Sequence, residues 1–313
     1  MLTRPELPSP LAVVCHDAGA CNVVLPWLDQ PGLELRAVMQ GPAAALWRAR
    51  FGVAGAERHP LVGHSHLVER IDDALDGAAM LLSGTGWASA LEHDARQRAA
   101  RRGVRSAAVI DHWVNYPERF ERAGVVQWPD EFWVSDAEAV TLVCRHFPGA
   151  AVRCHTNLYL EEQAGAITRC NARAGDVLYV LEPMRSDWGR GTPGEFQALD
   201  YFVAQRAAAG VQPCAPVRLR PHPSDPPGKY EAWIQRHAEA GYSLDRSATL
   251  AAAIGPSAWV VGCESYALVV ALAAGRRVCS SLPPWAPGCR LPHAGIRHLS
   301  RSVLTPRGAS ARA

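Results

Sequence analysis

The sequence predicts a two-domain α/β protein, each domain a mostly parallel sheet flanked by helices, with the two domains facing a cleft. Three observations carry that expectation. The length of 313 residues suits two domains of roughly 150 residues each. Short apolar runs alternate with helical stretches. The same alternation then restarts in the second half. A hydrophobic share of 48% and a charged share of 20% are those of a globular chain able to bury two cores.

In the first half Leu11–Cys15, Leu35–Met39, Met80–Ser83, Ser106–Ile110, Phe132–Ser135 and Ala151–Arg153 read as strands, with helices over Ser89–Arg102 and Asp136–His146. Asp136 directly follows a strand, where an N-cap is expected. The second half reads as strand Val177–Leu181, helix Glu195–Ala209, strand Val217–Arg220, helix Pro227–Ala240, strand Trp259–Val261, helix Tyr266–Ala274 and strand Arg277–Ser280. The joint is expected between Asn157 and Gly175, a polar stretch of weak strand character, so that residues 1–160 and 175–300 form the two domains. The tail 301–313, rich in Arg, Ser and Ala, is expected to fray.

Composition excludes several function classes. A net charge of +2 implies neither a nucleic-acid partner nor a strongly acidic one. Lys229 is the only lysine, so the positive charge is nearly all arginine, whose planar fork suits phosphate and carboxylate. The nine cysteines are odd in number, scattered and without a CxxC pair, which reads as reduced, mostly buried thiols of a cytosolic protein. The apolar run Leu11–Cys15 is no signal peptide, and no stretch approaches the ~18 apolar residues of a membrane helix. A peripheral membrane contact stays open.

Ligands of open α/β sheets bind beyond the carboxyl ends of the strands, so the motifs placed there matter most. His16-Asp17-Ala18-Gly19 follows the first strand; it puts His16 and Asp17 where a base must stand to deprotonate a hydroxyl, unless Asp17 only caps the next helix. Ser83-Gly84-Thr85-Gly86 is a glycine loop in which Gly84 and Thr85 can cradle a charged group, with Glu92 one turn into the helix beyond it. Arg96, Arg98, Arg101, Arg102 and Arg105 read as a solvated helix face, or more sharply as a surface for an acidic glycan or anionic lipid. In Asp111-His112-Trp113-Val114-Asn115-Tyr116, Trp113 and Tyr116 can stack on a sugar face while Asp111, His112 and Asn115 take hydroxyls; the other reading is a buried polar network.

The second half contributes Arg220-Pro221-His222-Pro223, where two prolines lock φ and hold Arg220 and His222 toward a phosphate. Gly262-Cys263-Glu264-Ser265 opens a helix whose amides and Ser265 can bind a phosphate, with Glu264 accepting from ribose hydroxyls or serving as a helix-start carboxylate. Glu182, after the first strand of this half, faces the same pocket. There is no Asp-x-Asp, HExxH, P-loop, GxGxxG or nucleophile elbow, which argues against a metal-clamped diphosphate and against an α/β-hydrolase.

Arg220-Pro221-His222-Pro223 resembles the HP motif of bacterial sialyltransferases, polysialyltransferases and capsule Kdo transferases, and Val260–Val278 is similar to their later serine motif. The resemblance covers about 60 residues. Glu264 before a single Ser265 departs from the serine pair of the polysialyltransferases, and CDP-glycerol-type phosphotransferases share a similar segment. It implies a GT-B architecture of two Rossmann-like domains, residues 1–160 holding the acceptor and 175–300 the donor. It further implies a CMP-linked nonulosonic acid as donor, no metal or other cofactor, inversion at the anomeric carbon, Asp17 as base assisted by His16, and His222 and Ser265 on the donor phosphate. The partners so implied are a nucleotide-sugar donor and a glycan, glycolipid or protein acceptor. Three alternatives remain: a CDP-alditol-type phosphotransferase, an NDP-sugar epimerase or hydrolase of the same shape, and a non-catalytic nucleotide- or glycan-binding module.

Overall fold

The computed structural model describes residues 2–52, 64–87, 89–167, 176–184 and 186–304. The chain divides into two compact units, Met1–Tyr159 and Leu160–Ala313.

The first unit runs β1 (Leu11–Cys15), α1 (Ala18–Trp27), β2 (Glu34–Met39), α2 (Gly41–Phe51), β3 (His64–Leu67), α3 (Ile71–Leu75), β4 (Met80–Ser83), α4 (Leu91–Arg102), β5 (Ser106–Val109), β6 (Glu121–Arg122), β7 (Val125–Val126), β8 (Glu131–Val134), α5 (Ala137–His146) and β9 (Val152–Cys154). Seven of these strands form a parallel sheet in the order β3-β2-β1-β4-β5-β8-β9. Leu11 sits in register with Leu35 on one side and Met80 on the other. β1 is buried along its whole length because both faces are covered. Its odd residues Leu11, Val13 and Cys15 join the core that holds Trp27 of α1 and Trp47 of α2. Its even residues Ala12 and Val14 pack with Ala74 of α3 and Ala95 of α4. The pair β6–β7 is a separate antiparallel hairpin whose turn residues, Ala123 and Gly124, both take positive φ.

The second unit begins within α6 (Leu158–Gly165) and continues β10 (Val177–Val180), α7 (Gly194–Gln205), β11 (Val217–Arg220), α8 (Glu231–Arg236), β12 (Tyr242–Leu244), α9 (Leu250–Ile254), β13 (Trp259–Gly262), α10 (Tyr266–Ala273), β14 (Arg277–Ser280), β15 (Ile296–His298) and α11 (Leu299–Leu304). Its six parallel strands follow the order β12-β11-β10-β13-β14-β15. Tyr179, Phe202, Trp233 and Trp259 anchor its main core. Both sheets are therefore doubly wound and Rossmann-like, and the strand order reverses between β1 and β4 in one and between β10 and β13 in the other.

Several expectations need correction. The joint carries helix α6 in place of weak strand. The helix expected over Pro227–Ala240 shrinks to α8, because Gly228 at φ 82 turns the chain ahead of it and a 3₁₀ turn, Ala238–Ala240, follows. The helix expected to reach Ala209 stops at Gln205. The tail begins inside α11, and residues 305–313 lie outside the described residues. Of the cysteines, 15, 21, 263 and 279 are buried, 154 and 289 partly so, and 144 and 214 are exposed; all eight are free thiols, and Cys170 lies outside the described residues. Among the described residues no helix is long and apolar enough to cross a membrane.

Candidate functional site

In the first unit the chemistry gathers where the strand order reverses. The loop after β1 presents His16 and Asp17, whose side chains are 22% and 28% exposed, and His16 Nδ1 lies 2.7 Å from Asp17 Oδ1. A carboxylate only accepts, so Nδ1 carries the hydrogen and Nε2 keeps the lone pair. Asp17 stands at the N-cap of α1 with extended backbone angles, yet its side chain makes no capping bond. Capping therefore does not account for its carboxylate.

Two glycines make room for these side chains, and a third for Asp111. A Cβ on Gly86 would overlap Asp17 Oδ2, one on Gly41 would meet His16 Nε2 at 2.7 Å, and one on Gly19 would overlap Asp111 Oδ2. Gly41 also takes φ 51. Below the loop, the His16 amide donates to Glu92 Oε1 at 2.8 Å. Glu92 is 0% exposed, and burial raises its pKa, with the Asp17 carboxylate pushing the same way.

The neighbouring strand ends are tied inward. Thr85 is buried and donates its hydroxyl to Val109 O at 2.9 Å. Buried Arg119 reaches Thr85 Oγ1 at 3.0 Å, Asp111 Oδ1 at 2.8 Å and Val114 O at 3.0 Å. His112 Nδ1 accepts from the Trp113 amide at 3.0 Å. Asn115 takes φ 57, and its carbonyl accepts from Arg119 N. The stacking platform expected of Trp113 and Tyr116 is not formed. Trp113 is 6% exposed and donates its indole N–H to Asp136, while Tyr116 is buried and stacks on His146. Asp136 also caps α5 through Ala139 N at 2.6 Å, as its position after a strand implied.

The arginine run is not one solvated face. Arg96 is buried and donates to Ser83 Oγ, Gly84 O, Arg119 O and Gln127 O. Arg98 and Arg102 pair with Asp72, Arg101 reaches Gln97, and Arg105 pairs with Glu131. The reason is the position of Arg96 on the helix side facing the sheet, where carbonyls left unpaired by the glycine loop need donors.

In the second unit Glu182, just past β10, and Glu264-Ser265, just past β13, flank the corresponding reversal. Ser265 caps α10 by accepting from Ala267 N at 3.3 Å. Glu182 Oε2 accepts from Glu264 N at 2.9 Å, and burial lifts its pKa to about 7. The Glu264 carboxylate is forked onto Arg290, whose Nε stands 3.1 and 3.2 Å from its two oxygens. Gly262 passes so close to β10 that a Cβ would meet Val180 O at 2.8 Å.

Arg220 and His222 lie one strand away from that reversal. Arg220 shares the buried Asp245 carboxylate with Arg218, at 2.7 Å, and also donates to Ser247 O. Its charge is thus held by a partner 25 residues on, beyond the reach of any local sequence pattern. His222 is exposed; its Nδ1 lies 2.7 Å from Ser224 Oγ and accepts from Ser224 N at 3.2 Å, so a neutral ring carries its hydrogen on Nε2, directed away from that turn. Asp245, Arg290, Arg119 and Gly41 were not singled out from sequence, whereas Gly19 and Gly86 stood in the motifs that follow β1 and β4; of the four missed, only Gly41 carried a signal, since it adjoins a polar strand end. Among the described residues no group of three or more His, Cys, Asp or Glu is set to hold a metal ion.

No protein-family model matches the sequence, and no curated protein matches it. Solved structures match in fold. UDP-GlcNAc 2-epimerase from Methanocaldococcus jannaschii is similar at 8% identity with a TM-score of 0.62, over 94% of this chain and 92% of that one. The glycotransferase of kitacinnamycin gives 13% identity and a TM-score of 0.49, over 95% and 84%. MurG from Acinetobacter baumannii gives 14% and 0.44, over 93% and 87%. The chain thus has two Rossmann-like α/β units of the GT-B class.

Proposed function

We propose that this chain is a metal-independent, inverting glycosyltransferase that moves a sugar from a nucleotide-activated donor to a hydroxyl acceptor, with His16 as base and Asp17 as its orienting partner. The observation that carries it is the 2.7 Å contact between His16 Nδ1 and Asp17 Oδ1 at the strand-order reversal of the first unit. These roles reverse the order expected from sequence, in which Asp17 was the base. An imidazole with its hydrogen pinned on Nδ1 offers the Nε2 lone pair to an incoming hydroxyl, and the carboxylate then stabilises the imidazolium.

In one displacement the acceptor oxygen bonds to the anomeric carbon as the bond from that carbon to the donor phosphate oxygen breaks. The electron pair leaves with the nucleotide, and the hydroxyl proton passes to His16 Nε2. Within the second unit, the N-terminal end of α10 at Ser265 and the Nε2–H of His222 are the groups assigned to the donor phosphate. His16→Ala and Asp17→Asn, each folded as shown by circular dichroism, are expected to lose transfer activity; full activity in both would sink the assignment.

For the donor, the Arg220-Pro221-His222-Pro223 resemblance favours a CMP-linked nonulosonic acid used in cytoplasmic assembly of bacterial surface glycans or glycoconjugates. A thermal-shift panel of CMP, CDP and UDP tests it, the bound nucleotide raising Tm by mass action. A CDP-specific shift would point instead to a CDP-alditol phosphotransferase. A second reading, an NDP-sugar epimerase, has in its favour the TM-score of 0.62 to the M. jannaschii enzyme. It predicts donor turnover without any acceptor, whereas a binding module predicts the shift without turnover.

A further inference from the structure

We propose that Glu92 is a positioning residue for the His16–Asp17 pair and that it works as a neutral carboxylic acid. The proposal rests on the base assignment above. Glu92 stands in the first turn of α4 and is 0% exposed, yet it holds the backbone of the loop that carries the pair, accepting from His16 N at 2.8 Å across 76 residues of sequence. Gly84 is part of the same arrangement, since a Cβ there would stand 3.1 Å from Glu92 Oε1. The side chain thus reaches from the helix, past the glycine loop, to the strand end next door.

Its second oxygen decides the charge state. Glu92 Oε2 is buried and has no hydrogen-bond partner among the described residues. A carboxylate would leave half of its charge on a buried atom with no hydrogen-bond partner among the described residues. Arg96, one turn further along the same helix, is the obvious counter-ion. Its guanidinium instead bonds Ser83 Oγ and three backbone carbonyls.

Three groups favour an anion, the His16 and Glu92 amides and the Arg96 charge, and together they do not offset burial. Asp17 and His16 come from the β1 loop, the first with a like charge, and Cys15 at the end of β1 is a thiol pushed up by its bond to Cys21 and by burial. Burial and Asp17 both favour the protonated acid. In that form Oε1 still accepts the His16 amide, and no second negative charge competes with Asp17 for the imidazole. Ionisation would demand solvation, which the loop can supply only by moving, and the dyad moves with it.

The test compares Glu92→Gln, which keeps the acceptor and is neutral at every pH, with Glu92→Leu, which removes the acceptor. Both are first shown to be folded by their Tm. Near neutral pH, Glu92→Gln is expected to retain the wild-type kcat, while Glu92→Leu loses roughly 10- to 100-fold through a misplaced base with less change in KM. An alkaline limb in the wild-type rate should move to higher pH in Glu92→Gln. Infrared difference spectra of wild type against Glu92→Gln, which need no substrate, should show the carbonyl band of a protonated acid at neutral pH.

A missing band, or Glu92→Gln as slow as Glu92→Leu, would mean that the ion is required and overturn the neutral form. Wild-type rates in Glu92→Leu would overturn the positioning role. An enzyme indifferent to His16→Ala but slowed by Glu92→Leu would instead remove the base assignment and leave the neutral anchor standing.

Discussion

The two units share one backbone plan and put it to different chemical use. Each is a doubly wound parallel sheet, with polar residues just past the two strands that flank the reversal. In the first unit the residue at the helix cap position, Asp17, forgoes capping and binds His16. In the second, Ser265 caps α10 in the ordinary way, and the nearby carboxylates are consumed internally, Glu182 by the Glu264 amide and Glu264 by Arg290. The difference teaches that strand order selects where polar residues gather, while the partner found by each cap residue decides whether they form a histidine–carboxylate pair or a capped helix start. The first unit leaves its His16–Asp17 pair partly open to solvent; the second pairs Glu264 with Arg290 and Arg220 with Asp245.

The comparison can be broken most sharply at the proposed base. His16→Ala should lower kcat/KM by roughly 100- to 10,000-fold, the range of a lost general base. His222→Ala, at the proposed donor-side contact, should cost less than a tenth as much. Steady-state transfer assays of the two variants rank them, and equal losses would erase the contrast.

Next in size is the buried ion network of the second unit. Asp245→Ala strands Arg218 and Arg220 beside a side-chain position only 1% exposed, and should cost roughly 3–5 kcal/mol in urea unfolding. In the first unit, Asp111→Ala leaves Arg119 with Thr85 and Val114 as acceptors and should cost about 1 kcal/mol.

The acids set a pH dependence of comparable scale. Glu182 is raised from 4.5 to about 7 by burial. Between those values the folded protein keeps a proton that the unfolded chain has released, so stability falls as pH rises, by an amount on the order of 3 kcal/mol, and levels off above the folded pKa. Glu92 adds in the same direction. Tm measured from pH 4.5 to 8 should therefore decline in wild type and flatten in Glu182→Gln; a rise over that window would show that Glu182 is ionised throughout.

The smallest effect separates the two cap positions. Ser265→Ala removes a capping bond and should cost about 1 kcal/mol. Asp17→Ala has no such bond to lose and should change stability by less than about 0.5 kcal/mol while abolishing transfer.

Much of this was readable in the chain. Apolar runs such as Leu11–Cys15 and Arg277–Ser280 marked central strands at their observed ends, because a strand covered on both faces needs no alternation. The edge strands of the second sheet were not legible: β12 and β15 are three residues each, and pairing with a neighbour, not composition, makes them strands. The strand ends also advertised His16, Asp17, Glu264 and Ser265 as polar residues where an α/β sheet binds ligands.

The sequence by itself thus determined the α/β class, the strand ends and the chemical types present there. Tertiary structure alone decided what each side chain does. Arg220 is claimed by Asp245, Glu264 by Arg290, Trp113 by Asp136 and the core, and the His16 amide by a glutamate 76 residues away. The physical reason is reach. Periodicity and turn chemistry act over a few residues, whereas a parallel sheet sets side by side strands separated by a whole crossover. A partly buried charge or amide then binds whichever partner that pairing delivers, because leaving it unpaired costs more than any local preference supplies.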